Sequence, residues 1–290
     1  MSADDGYFPR GTSMLRQVQQ ERLVGLLYGQ RALCIGALLP LNYVGTSEHT
    51  AARAMPFKRL AHTANWFEAV MLGSRGEADR VLAAVHKMHT RVHGRLPERA
   101  GPYPKGTPYD ALDPELMLWT IAVAMDSAEY FYDLLVRRLR AEEREALWRD
   151  YVHFGELFGM PVGVAPASYS AFRAYYDGFL EGDSIWLTDA ARRTGRAIAL
   201  QIPMGRHAKP FKTVHDLIML GSLPPRVRGL YGLRWTPAHA AAFAASVRTV
   251  RIARRTTPSA VARGRNSCFF DGVAQAEAWR IATGRSTVAL

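Results

Sequence analysis

Two groups of polar side chains recur at helical spacing close together in the chain: Arg59, His62 and Thr63, then His86, His89 and His93. Positions 59, 62, 63, 66 and 70 share one face of a helix, so Arg59, His62 and Thr63 run on into Trp66 and Val70. A stripe that is polar at one end and apolar at the other suits one wall of a reaction pocket. It equally suits a buried face whose polar members bond to nearby backbone. His86, His89 and His93 fall beside Leu82, Val85 and Val92 on the following segment. Such histidines could hold a divalent ion, but those sites normally take an acidic further ligand. This segment has no HExxH pattern, and Glu77 and Asp79 lie turns away. Axial ligation of a haem iron asks for one imidazole only, with a partner on its second ring nitrogen. A histidine across an apolar helical cleft from a polar cluster is a practical way to hold a haem and a reacting gas.

Helices must position these groups. Pro56 suits a first helical turn, where its missing donor is not needed, and Gly73 can close that helix. Ser74-Arg75-Gly76-Glu77 has the form of a capping box, so a new helix is predicted from about Arg75 to His93, with Gly94 as its stop. Upstream, apolar spacing predicts a helix from about Met14 to Leu39, ended by Pro40 and followed by a loop holding Asn42, Gly45 and Glu48-His49. Downstream, Arg95 to Asp110 reads as a strap rich in proline and glycine. Asp113-Pro114-Glu115 then opens a long apolar helix through Leu139. Further helices are expected over Ala141–Phe158, Ser168–Leu180, Asp189–Leu200, Val214–Leu220 and Ala238–Arg254. Two-residue alternation is nearly absent and no repeat is present, so the fold class is all-α.

With 290 residues, 48% hydrophobic and 22% charged, the chain can bury one large core. One helical domain is expected over 1–290, with a core of about 14–245 and a basic C-terminal extension of about 246–290. The net charge of +11 is partly local to Arg248, Arg251, Arg254, Arg255, Arg263 and Arg265. These read as a solvated face, with contact at a membrane surface left open. Nucleic acid is disfavoured, because no aromatic stacking platform accompanies them. Cys34 and Cys268 are too far apart in sequence to suggest a metal pair or disulfide framework. The N-terminus lacks a basic-then-apolar signal pattern, and no run reaches the roughly 18 apolar residues of a membrane span. A cytoplasmic location is the expectation.

Several segments, in order, resemble the MpaB-like and latex-clearing-protein family of oxygenases. They are Gly25 to Pro40 (GLLYGQRALCIGALLP), Glu48-His49-Thr50, Pro56 to Thr63, Val85 to Gly94, Tyr109 to Trp119, Met125-Asp126-Ser127 and Leu157 to Pro161. A looser match runs from Leu223-Pro224-Pro225 through Trp235. The resemblance implies a globin-related helical core holding haem b, with His89 of the Met-His-x-x-Val-x-Gly stretch matching the axial ligand of the iron. Arg59 and Thr63 match distal-side residues, His62 stands where the family carries a lysine, and Glu48 matches an acid-base candidate. A histidine there could ligate more firmly than a lysine or move a proton. Trp66, Leu27, Leu33, Ile35, Val70, Leu82 and the Trp119–Met125 stretch offer apolar lining, and Arg59, Arg31 or Arg53 would meet the propionates. Asp126 and Ser127, inside an apolar helix, need partners if buried. The likeness also implies an oxygenase that takes dioxygen and an apolar small molecule, with cleavage of a carbon–carbon double bond as the family's best-marked reaction. Two readings stand beside it: a haem-binding sensor or storage protein ligated by His62 and His89 together, and a helical protein whose matching motifs are structural.

Overall fold

The computed structural model describes residues 6–49, 55–203 and 209–285. Its centre is a helix buried around nearly its whole circumference, α6 (Pro114–Leu135), whose covered residues run from Leu116 to Leu135 and include Asp126, Ser127 and Glu129 among apolar neighbours. The Asp113 carboxylate caps it, accepting from the Glu115 and Leu116 amides, and Pro114 occupies the first turn. Around α6 the chain winds as α1 (Met14–Gln19), α2 (Arg22–Gly36), α3 (Pro40–Glu48), α4 (Pro56–Leu72) and α5 (Arg75–His89). After α6 come α7 (Ala141–Leu157), α8 (Tyr169–Glu181), α9 (Asp189–Leu200), α10 (Lys209–Ser222), α11 (Pro225–Leu230), α12 (Pro237–Thr256), α13 (Ser259–Ala262) and α14 (Ser267–Ala282). Among the described residues the strand content is one antiparallel ribbon, β1 (His93–Arg95) with β2 (Pro108–Asp110), in the register His93 opposite Asp110. The chain is all-α, as expected.

Three local predictions need correction. The expected helix from Met14 to Leu39 is broken at Gln20 and Glu21, where Glu21 is extended and fully buried. Its carboxylate is taken by Arg254 and Arg263, which hold it below the usual carboxylate range against the cost of burial. The loop expected after Pro40 is instead the helix α3, with Pro40 at its first turn and Glu48 at its end. The second helix of the histidine-bearing pair stops at His89, and His93 begins β1.

A second apolar cluster lies outside the main core, where Phe57, Leu60 and Ala61 of α4 meet Phe270 and Val273 of α14. The two helices cap each other. Glu277 of α14 accepts from the Phe57 and Lys58 amides (3.2 and 2.8 Å), and Glu68 of α4 accepts from the Asn266 amide at the head of α14 (2.8 Å). Cys34 is buried and Cys268 exposed, both unpaired. No helix among the described residues is long and apolar enough to cross a membrane.

Candidate functional site

Gly73 and Ser74 alone separate α4 from α5, and the two helices pack together. The Ser74 side chain accepts from the Glu77 amide, fixing the start of α5 as the capping pattern implied. Arg59, His62 and Thr63 sit near the start of α4, and His86 and His89 near the end of α5. Each group is therefore remote from the link.

The α4 face runs from exposed His62, through half-buried Arg59, Thr63 and Trp66, to buried Val70. The His62 ring lies 6.2 Å from that of Trp66, tilted by 47°. Burial holds the Arg59 guanidinium below its usual basicity, and neighbouring Tyr43 partly offsets this. Behind this face, Phe67 meets the rings of Phe154 and Phe158 at 5.0 and 5.6 Å, fastening α4 to α7.

Of the three histidines, His86 and His93 are exposed and His89 is half-buried. The His89 Nδ1 is sealed from solvent and has no hydrogen-bond partner among the described residues. Burial, reinforced by the neighbouring His86, pushes the His89 pKa down and favours the neutral imidazole, the form that ligates a metal. Among the described residues no three His, Cys, Asp or Glu side chains converge as a metal-binding group. His89 and His62 share no hydrogen bond. Gly159, at φ 103°, brings the turn after α7 toward His86, where an added Cβ would lie 3.9 Å from Nδ1.

Glu48 ends α3 as an exposed residue. It stands close enough to Tyr109 that its charge adds to burial in raising the phenol's pKa. The Tyr109 hydroxyl lies 3.1 Å from the His49 Nε2, and Gly94 gives it room, since a Cβ there would come within 2.6 Å of that oxygen. Tyr43, His49 and Tyr109 are thus neighbours of the candidate groups; the sequence marks His49 and Tyr109 only as members of matching segments, and Tyr43 not at all. Gly94 is the one hint, and it reads only as a helix stop. Arg31 moves the other way. It is 3% exposed, and its guanidinium is committed to Asp126 (2.5 Å), Ser127 (2.9 Å) and the Ser222 carbonyl (3.0 Å), so it is not available to a propionate. Arg53 lies outside the described residues.

Comparison with known proteins bears on this arrangement. Residues 16–252 match the family model described as the catalytic domain of ER-bound oxygenase mpaB/B' and rubber oxygenase. The chain belongs to this oxygenase family. Uncharacterized proteins of Mycobacterium bovis and Mycobacterium tuberculosis are each 26% identical to it over 210 residues, 70% of this chain and 76% of theirs. No solved structure matches it significantly. Membership supports an oxidoreductase role with dioxygen and an organic substrate.

The residues fit a haem in two respects. His89 offers a neutral imidazole with one nitrogen buried and unpartnered, and Leu33, Trp66 and Leu82 keep part of their apolar surface open. Leu27, Ile35, Val70, Trp119 and Met125, also expected to line a slot, are closed into the core. Cavities of about 610 and 570 Å³ lie against α12 and α6, and neither is lined by a residue of α4 or α5. The case for His89 therefore rests on the surroundings of its ring.

Proposed function

We propose that this oxygenase is haem b-dependent, that His89 is the axial ligand of the iron, and that the enzyme uses dioxygen on an apolar small molecule. The observation that carries the reading is the buried, unpartnered Nδ1 of an imidazole that burial keeps neutral, on a helix matched by the oxygenase family. Haem, when bound, supplies redox-active iron for the activation of dioxygen. Arg59 directs a half-buried positive charge at a propionate or a polarised oxygen. Thr63 adds a hydroxyl donor one helical turn away, and Trp66 an apolar wall. His62, exposed and leaning on Trp66, is placed to exchange a proton with solvent and pass it inward. Glu48 serves as the acid-base group on the α3 side. Addition of both oxygen atoms of dioxygen across a carbon–carbon double bond, giving two carbonyl groups, is the reaction proposed.

Absorption spectra of the haem-supplied wild type, His89→Ala and His62→Ala, oxidised and reduced, test the assignment. His89→Ala is expected to lose most of the pigment, and His62→Ala to keep it with an altered spectrum. Equal retention in both variants would refute the ligand. Ready binding of carbon monoxide by the reduced wild type is expected of an enzyme with an open coordination position; its refusal would favour a protein ligated by both histidines.

A further inference from the structure

Between Asp216 and Asp271 the chain carries no acidic residue and no lysine, and its fixed charges there are nine arginines. Five of them are committed within the protein. Arg254 and Arg263 pair with Glu21, Arg265 pairs with Glu77, Arg226 donates to the carbonyls of Leu180 and Gly182, and Arg228 to that of Leu223. Arg248, Arg251 and Arg255 are different. They follow one another at i, i+3 and i+7 along one face of α12, and they form no hydrogen bond or ion pair among the described residues. Ile252 stands between them and is 53% exposed. One and two turns earlier the same face consists of exposed Ala241, Ala244 and Ala245, so no long polar side chain there holds the helix off a flat surface. A shallow depression of about 610 Å³ runs beside the three arginines, its apolar lining made by Phe243, Val247 and Ile252. The carboxylates that share a groove with Arg251 are matched by other residues: Asp126 by Arg31 and Arg173, Glu129 and Asp133 by Arg144. The positive charge of the α12 face is therefore left for something outside the chain.

We propose that this face of α12 docks on the surface of an anionic phospholipid bilayer, with Arg248, Arg251 and Arg255 on lipid phosphates and Ile252 against the upper acyl chains. Fork-shaped guanidiniums match phosphate oxygens, and each arginine held near an anionic leaflet adds to the attraction. The occupant must also be flat along a helix about 30 Å in length, and apolar just beneath its charged layer. A bilayer meets both conditions. A nucleic acid would meet the charge, but it offers nothing to Ile252 or to the apolar depression, and no exposed aromatic side chain stands among the arginines to stack on bases. Such contact is peripheral, since no helix among the described residues is long and apolar enough to cross a membrane. This surface is independent of the haem assignment.

Sedimentation of the full chain with vesicles tests it. The wild type is expected to pellet with phosphatidylcholine vesicles that contain phosphatidylglycerol, to stay in solution with phosphatidylcholine alone, and to be released as salt is raised. The combined substitution Arg248→Gln, Arg251→Gln and Arg255→Gln is expected to weaken binding about tenfold or more, with thermal unfolding unchanged because these side chains have no partner in the fold. Arg80→Gln, Arg193→Gln and Arg196→Gln together remove the same charge at exposed arginines elsewhere, and this variant is expected to bind nearly as well as the wild type. Ile252→Ser, which leaves the charge intact, is expected to weaken vesicle binding by about fivefold. Equal pelleting with the two kinds of vesicle, or equal weakening by the two arginine triples, overturns the proposal. So does double-stranded DNA that strips the protein from the vesicles at equal phosphate concentration, with an affinity indifferent to Ile252→Ser; that result would assign the face to nucleic acid.

Discussion

At position 89, burial does the work that a hydrogen-bond partner does in many haem proteins: it keeps the imidazole uncharged. A histidine whose folded pKa lies below its ordinary value of 6.5 binds fewer protons than the unfolded chain in the interval between the two, so that interval is where stability falls as the solution is acidified. Under the proposed ligation, the same depression would shield the imidazole from competing protons. Haem-loaded protein is therefore expected to keep its pigment as pH falls through 6.5 and to release it only below that, as followed in a spectrophotometric titration. Release centred on 6.5 would contradict the burial argument. Sequence singles out His89 through its resemblance, because spacing treats His86, His89 and His93 alike. What separates them is which ring nitrogen neighbouring elements cover, and that is a tertiary property.

Among the elements, α4 and α14 depend on each other. The start of α4 leaves the Phe57 and Lys58 amides needing acceptors, while Pro56 has no amide hydrogen to satisfy, and the acceptor comes from Glu277, more than two hundred residues on. Glu277→Ala is expected to cost about 1–3 kcal/mol, lowering the melting temperature by roughly 2–4 °C per kcal/mol. Glu277→Gln, which keeps an acceptor, should lose less; differential scanning calorimetry on both would separate capping from simple packing. The starts of α4 and α5 are legible, since proline at a first turn and a serine cap with a glutamate behind it are local signals. α14 is not. Its buried residues are Phe270, Val273 and Glu277, so a carboxylate interrupts the apolar stripe by which an amphipathic helix is read. α3 escapes a sequence reading because Asn42 and Gly45 look like breakers; Gly45 is buried, and a Cβ there would meet Tyr109 at 3.4 Å and Val92 at 3.7 Å.

For the molecule as a whole, Asp126 is the ionic tie. It accepts from Arg31 of α2 and from Arg173 and Tyr176 of α8, and Arg31 reaches on to the Ser222 carbonyl at the end of α10. Four helices meet at this carboxylate and its arginine. Burial alone would raise the Asp126 pKa, yet Arg31 and Arg173 hold it below 3.8. Its contribution is therefore complete above that pH and is lost as acidification approaches the lower folded-state value. Asp126→Asn leaves the buried Arg31 charge uncompensated, and a loss of about 3–5 kcal/mol in urea unfolding is expected. A loss below about 1 kcal/mol would place the pair among ordinary surface salt bridges. The sequence indicates that an acid inside an apolar helix needs partners, but cannot name arginines at distances of 95 and 47 residues along the chain.

The contrast between the two thiols supplies a practical handle. Cys34 is sealed, and burial pushes its pKa up to about 12, so little of it becomes thiolate near neutrality. Cys268 is exposed at the start of α14. Iodoacetamide is expected to add a single label per native chain, read by mass spectrometry, with a second adduct appearing only in denaturant. A fluorophore attached at that one position would report when the last helix lifts from its neighbour.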